Sequence, residues 1–226
     1  MLRFLTNTTT RSQADLYLQL QRMGFELTPD ELISAPAAAR LELIALQREL
    51  GRPLRVWPVV AEAICADFDG FERDEVHPDF IVLGDIGGAW DLALINRLFQ
   101  AIQGGAQLIA LHKNRFWQTA GSLKVDIGFF VAGLEYVTGQ PTLVMGKPST
   151  AFFHRVLRDA GMTAEETAVV GDDLDSDVGG AQTNGMRGML VKTGKFRQAY
   201  LAQSAITPDA LLSSVAELPQ YLQSLR

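Results

Sequence analysis

The 226-residue chain has one cysteine, three histidines and no long hydrophobic run. A single thiol, Cys65, excludes an intrachain disulfide and accords with a reducing cytoplasm, the compartment expected here. His77, His112 and His154 are scattered, with no mutual spacing that suggests a zinc site. Apolar runs such as 107–111 and 168–170 are strand-length, against the roughly 20 residues a helix needs to cross a bilayer. No membrane partner is therefore expected, and the N-terminal MLRFLTNTTT lacks the length of a signal peptide. Positive charge is also in deficit: 20 Lys and Arg stand against 26 Asp and Glu, a net charge of -6. Without a basic excess to neutralise backbone phosphates, no nucleic-acid partner is expected, and any phosphate-bearing ligand must be held by a local site that overcomes the global field. No repeat or low-complexity segment stands out.

What the chain does have is alternation of strand-like and helical segments, which predicts an α/β fold with a mainly parallel sheet. Residues 2–5 read as a short buried strand, Ser12 as the cap of a helix carrying Leu16, Leu20 and Met23, and Gly24 as its stop. Thr28 or Pro29 is expected to start a further helix. A second α/β unit follows, with strands at 55–60, 80–85 and 107–111 and helices at 92–102 and 127–137. Residues 142–148 then read as a strand entering a turn, 151–160 as a helix, 167–170 as a strand, 177–184 as a helix start and 188–191 as a strand. A helix over 214–225 is expected to be interrupted at Pro219. Boundaries near 33–37 and 139–142 divide the chain into a discontinuous core, 1–34 and 141–226, and an inserted α/β cap, 35–140.

Three constellations carry chemistry. In VVGDDLDSD an apolar strand runs into four aspartates, Asp172, Asp173, Asp175 and Asp177. Open α/β sheets place ligands beyond the carboxyl ends of their strands. Four crowded carboxylates repel one another unless a cation joins them, and hard oxygen donors suit Mg²⁺. A solvated acidic helix start is the competing reading. An EF-hand is excluded, because Val178 stands where that loop needs Gly and Asn184 where it needs Glu. In GKP, Lys147 at a strand end can neutralise a phosphoryl oxygen; a snorkelling surface Lys is the plainer alternative. A P-loop is excluded by Pro141 at its first Gly position and Pro148 after the Lys. In FLTNT, Thr6 and Asn7 can donate to a phosphate or simply build a turn.

Taken in order, strand-Thr-Asn, strand-Gly-Lys-Pro and strand-Gly-Asp-Asp resemble the second, third and fourth motifs of the haloacid-dehalogenase (HAD) phosphohydrolase superfamily. The flanks TNTTTRS, GKPSTAFF, GDDLDSDVGGAQTNGM and LVKTGKFR resemble the branch whose large α/β cap lies between the second and third motifs, subfamily IIA. The resemblance covers nearly the whole chain. It implies a Rossmann-like core and Mg²⁺-dependent phosphoryl chemistry on a small phosphorylated metabolite, pyrophosphate or a phosphoramidate. It further implies that Thr6, with Asn7, holds the phosphoryl group and that Lys147 binds phosphate. Asp172 would ligate Mg²⁺, with Asp177, or less favourably Asp173, supporting the metal from a second layer.

The family's first motif, a strand ending in Asp-x-Asp-Gly that carries the nucleophile and general acid, does not precede Thr6 in this chain. The same letters occur at Asp67-Phe68-Asp69-Gly70, but after the second motif and behind a helix-like AEAICA, so they read as a solvent-facing turn of the cap. The expectation is that the natural protein continues upstream and that the 226 residues alone do not turn over. The alternative expectation is a degenerate, non-catalytic phosphate- or metal-binding module acting through its cap, as a homodimer. In HKNRFW (112–117), basic and aromatic groups face either substrate or solvent.

Overall fold

The computed structural model describes residues 1–118 and 121–224, with side chains omitted at 117 and 118. The chain divides into two compact units, Met1–Gly146 and Lys147–Arg226.

The first unit opens with β1 (Phe4–Thr6) and α1 (Gln13–Arg22), whose cap is Ser12, its Oγ accepting from the Asp15 N–H at 3.1 Å. Thr28 and Glu31 form a capping box, but over a single turn, Pro29–Glu31. The helix expected there gives way to β2 (Leu32–Ser34), three buried residues too few to show a period. β2 pairs in parallel with β1, Phe4 opposite Leu32 and Thr6 opposite Ser34. Ser34 then caps α2 (Ala35–Leu50), which has Pro36 in its first turn and ends at Gly51 with φ 65°.

The rest of this unit comprises β3 (Arg55–Val59), β4 (Glu72–Arg73), β5 (Phe80–Leu83), α3 (Leu92–Gln103), β6 (Gln107–Ala110), β7 (Phe116–Gln118), β8 (Leu123–Val125), α4 (Gly128–Thr138) and β9 (Leu143–Val144). Five strands form one parallel sheet in the order β4-β3-β5-β6-β9, while β7 and β8 make an antiparallel hairpin. One core joins Trp57, Val59, Ile81, Leu83, Leu108 and Ala110 of the sheet to Leu98, Ala101, Ile102, Val131 and Leu134 of α3 and α4. The near-continuous apolar runs of β5 and β6 follow from burial on both faces. Asp79, just before β5, locks the sheet's entry: Arg52 binds it through two hydrogen bonds of 2.9 Å, and the Arg55 N–H donates at 2.8 Å. The boundary expected at 139–142 falls before β9. That strand pairs with β6, Ile109 opposite Leu143.

The second unit holds α5 (Thr150–Ala160), β10 (Ala168–Gly171), α6 (Gly180–Thr183), β11 (Arg187–Val191), α7 (Gln198–Gln203), β12 (Ala210–Leu212) and α8 (Leu218–Ser224). β10, β11 and β12 form a parallel three-stranded sheet. Ser149 caps α5, and Phe152, Phe153, Val156 and Leu157 bury its inner face. The helical path expected from Asp177 begins earlier, as a wide turn over Leu174–Gly179 capped by Asp173. Pro219 lies in the first turn of α8, after a separate turn over Val215–Glu217, so it starts a helix and does not interrupt one. The observed α/β class, with mostly parallel pairing, is the one anticipated. Among the described residues, β1 pairs only with β2 and β10 only with β11.

Candidate functional site

The second unit gathers its charged groups beyond the carboxyl end of β10. Lys147 Nζ donates to Asp177 Oδ1 at 2.6 Å, with the two side chains 12% and 7% exposed. The other carboxylate oxygen of Asp177 accepts the Asp173 N–H at 3.2 Å. Asp173 Oδ1 accepts the N–H groups of Asp175 and Ser176, and its Oδ2 takes Lys195 Nζ at 2.8 Å. Asp172 Oδ2 accepts the Lys195 N–H at 2.7 Å, and Asp175 Oδ2 accepts the Tyr200 hydroxyl at 2.5 Å. The crowding argued from sequence is thus resolved residue by residue. Each aspartate points to its own donor, and among the described residues no three His, Cys, Asp or Glu side chains converge as metal ligands.

Two glycines make the arrangement possible. A Cβ on Gly171 would stand 2.1 Å from Asp177 Oδ2, and one on Gly194 would stand 2.0 Å from Asp172 Oδ2. Gly194 also has φ 57°, a conformation costly for other residues. Electrostatics match the contacts. Burial alone would raise Asp173, but the bond from Lys195 and the Ser176 N–H bring it below the usual carboxylate range. Lys195 is correspondingly raised by Asp173. Asp172, Asp173, Lys195 and Tyr200 line a small cavity of about 190 Å³.

In the first unit, Thr6 ends β1, its Oγ1 lying 2.8 Å from the Thr8 hydroxyl and accepting the Thr8 N–H at 3.2 Å. Asn7 Oδ1 lies 3.3 Å from the position a Cβ would take on Gly146, the residue before Lys147. Asp67 is half-buried and not a solvent-facing turn residue. Both its oxygens accept the Gln13 N–H at 3.2 Å, and burial raises its pKa above the ordinary carboxylate value. It closes the start of α1. His112, the first residue of HKNRFW, is buried and does not face solvent, with Nε2 3.8 Å from Asp126 Oδ1, and burial lowers its pKa. Lys113 pairs with Glu135 at 2.5 Å, and the side chain of Trp117 falls outside the description.

Residues 144–218 match the family described as HAD-hydrolase-like, a span that includes Lys147, Asp172, Asp173 and Asp177. Haloacid dehalogenase-like hydrolase domain-containing protein 2 of Bos taurus is 39% identical over 199 residues, covering 88% of this chain and 74% of its own. The chain belongs to the haloacid dehalogenase-like hydrolases. The human phospholysine phosphohistidine inorganic pyrophosphate phosphatase is 35% identical over 217 residues, 95% of this chain and 77% of that one. A solved p-nitrophenyl phosphatase from Archaeoglobus fulgidus superposes with a TM-score of 0.85 at 25% identity, over 97% of this chain and 85% of that one. By family, then, this HAD chain is an enzyme of hydrolase type.

HAD phosphatases generally use Mg²⁺, and the residues fit a share of such a site. Asp172 offers a hard oxygen at a strand end, and Mg²⁺ typically takes one or two protein carboxylates with water and phosphate completing its shell. Sequence reasoning assigned no role to Lys195 or Tyr200. The signal was present: Lys192-Thr193-Gly194-Lys195 leaves the end of β11 as Gly146-Lys147-Pro148 follows β9.

Proposed function

We propose that this chain carries the phosphate-holding and metal-holding part of a Mg²⁺-dependent phosphohydrolase. Its substrate class is a small phosphorylated metabolite, pyrophosphate or a phosphoramidate such as phosphohistidine, in line with the naming of the human relative. The observation that supports this most is the buried Lys147–Asp177 pair beside Asp172 at the end of β10. In this reading Lys147 places an ammonium against phosphoryl oxygens, held on station by Asp177 and unable to swing into solvent. The Thr6 hydroxyl and Asn7 amide are proposed to donate to phosphate, and Asp172 would ligate the metal, with Asp177, more than Asp173, supporting it. Bound Mg²⁺ supplies neutralisation of charge on the phosphoryl oxygens. Phosphoryl transfer relies on positioning and charge compensation of this kind. The core is proposed to comprise 1–34 and 141–226, with 35–140 as the cap.

No Asp-x-Asp-Gly strand precedes Thr6 in these 226 residues. Covalent aspartyl catalysis needs an accessible carboxylate, and Asp67 is engaged in closing α1. The 226 residues are accordingly proposed not to turn over, and a chain extended upstream by an Asp-x-Asp-Gly strand is proposed to do so. Phosphate release with Mg²⁺ from both chains tests this. Turnover by the short chain that Asp67→Asn abolishes would overturn the account of the nucleophile.

A non-catalytic phosphate- or metal-binding module is the second reading, favoured by the loop carboxylates each having a protein donor already. Self-association through the cap is proposed with either reading. Phe129, Tyr136 and Val137 lie on α4 at helical spacing and are 63%, 89% and 53% exposed.

A further inference from the structure

The five-stranded sheet has a topological feature of its own. Numbered along the chain, its strands run in the order second, first, third, fourth, fifth, so the order reverses between β3 and β5. In open α/β sheets such a reversal opens a crevice beyond the carboxyl ends of the two strands, and ligands bind there. A cleft of about 520 Å³ occupies that position, between the residues following β3 and the Asp85–Gly87 segment following β5. Its volume falls in the range of small-molecule sites. The floor is apolar, from the end of β3 with Ile86 and Leu94, and the polar lining is Thr10, Glu62, Glu75, Asp85 and Arg97. Three carboxylates thus face one cation.

That one cation shows what the lining accepts. The Arg97 guanidinium lies over the Trp57 ring, 4.8 Å from its centroid, and pairs with Glu75 at 2.6 Å. An indole face plus a carboxylate is a cation-binding pair. Arg97 fills the Glu75 end of the cleft. Glu62 and Asp85, with the Thr10 hydroxyl, line the remainder, where no Lys or Arg of the lining is left to compensate them. Asp85 is held in place by the Gly87 N–H, which donates to its Oδ1 at 2.8 Å. We propose that the crevice between β3 and β5 binds a small organic ammonium ion, the amine on Asp85 and Glu62 and the alkyl part on the apolar floor. This site stands on unit-one geometry alone and does not depend on phosphatase activity.

The test is an NMR titration of the full chain with 1,5-diaminopentane, alongside 1-pentanol and pentanoate of the same carbon count. The diamine should produce saturable shifts at the Gly87 amide and the Trp57 indole N–H, and the neutral and anionic compounds should produce none. Glu62→Gln, at an exposed position that leaves folding intact, and Asp85→Asn should each weaken diamine binding. Loss of a charged hydrogen-bond acceptor corresponds to about tenfold to a hundredfold in affinity. Equal shifts from pentanoate, no saturable shift from the diamine, or unchanged diamine affinity in the Glu62→Gln variant would each overturn the proposal.

Discussion

Lys147 Nζ and Asp177 Oδ1 lie 2.6 Å apart, joining the residue that follows the first unit to the turn that follows β10. The pair is nearly dry, and breaking one side of a buried pair leaves a charge that water cannot reach. Lys147→Ala is therefore expected to destabilise the fold by about 3–5 kcal/mol. Adding Asp177→Asn removes the orphaned charge and should recover part of that loss. Urea midpoints of the single and double variants measure both effects; additive losses would show that the two residues do not act as a pair.

Gly171→Ala probes the same contact from the backbone. The new methyl must displace the Asp177 carboxylate, whose Oδ2 is 2.1 Å from the Cβ position. Overpacking of this kind costs about 1–3 kcal/mol. Because the displaced group is the partner of Lys147, the cost should shrink in an Asp177→Ala background, where space opens. An equal cost in both backgrounds would contradict the packing assigned to this glycine.

Much of this architecture is legible in the residues themselves. Ser12 announces a helix start through cap chemistry that is local, and α3 shows its period over Leu92–Gln103. β2 and β12 are missed because three residues carry too little pattern, and pairing with neighbours, a long-range matter, makes them strands. The loop 171–177 is readable as an acidic turn at a strand end, but its internal partners are not. Whether Asp177 faces Lys147 or a cation depends on a contact 30 positions apart in sequence. The role of Asp67 is hidden for the same reason, since Gln13 lies 54 positions away.

Acid should weaken the first unit through Asp79. The Arg52 fork, with the Arg55 N–H and guanidinium, holds this carboxylate far below its ordinary range. A carboxylate depressed in the folded state adds stability that is fully present above the unfolded value, about 3.9, and is lost as pH falls toward the folded one. The stability gap between the parent and Asp79→Asn should therefore be constant from pH 7 to 5 and narrow progressively as pH falls below about 4. Denaturant melts across that range give the gap directly; a gap independent of pH would refute the linkage.

The most direct test of the central claim is phosphate release with Mg²⁺ from p-nitrophenyl phosphate, pyrophosphate and phosphohistidine. It would compare the 226-residue chain, the chain extended by an Asp-x-Asp-Gly strand, and the extended chain with Lys147→Ala or Asp172→Asn. The account predicts no turnover from the first, turnover from the second, and loss of about 10²-fold or more in each variant, the scale on which positioned charge acts in catalysis. Full activity in either variant, or turnover by the 226-residue chain, would contradict it.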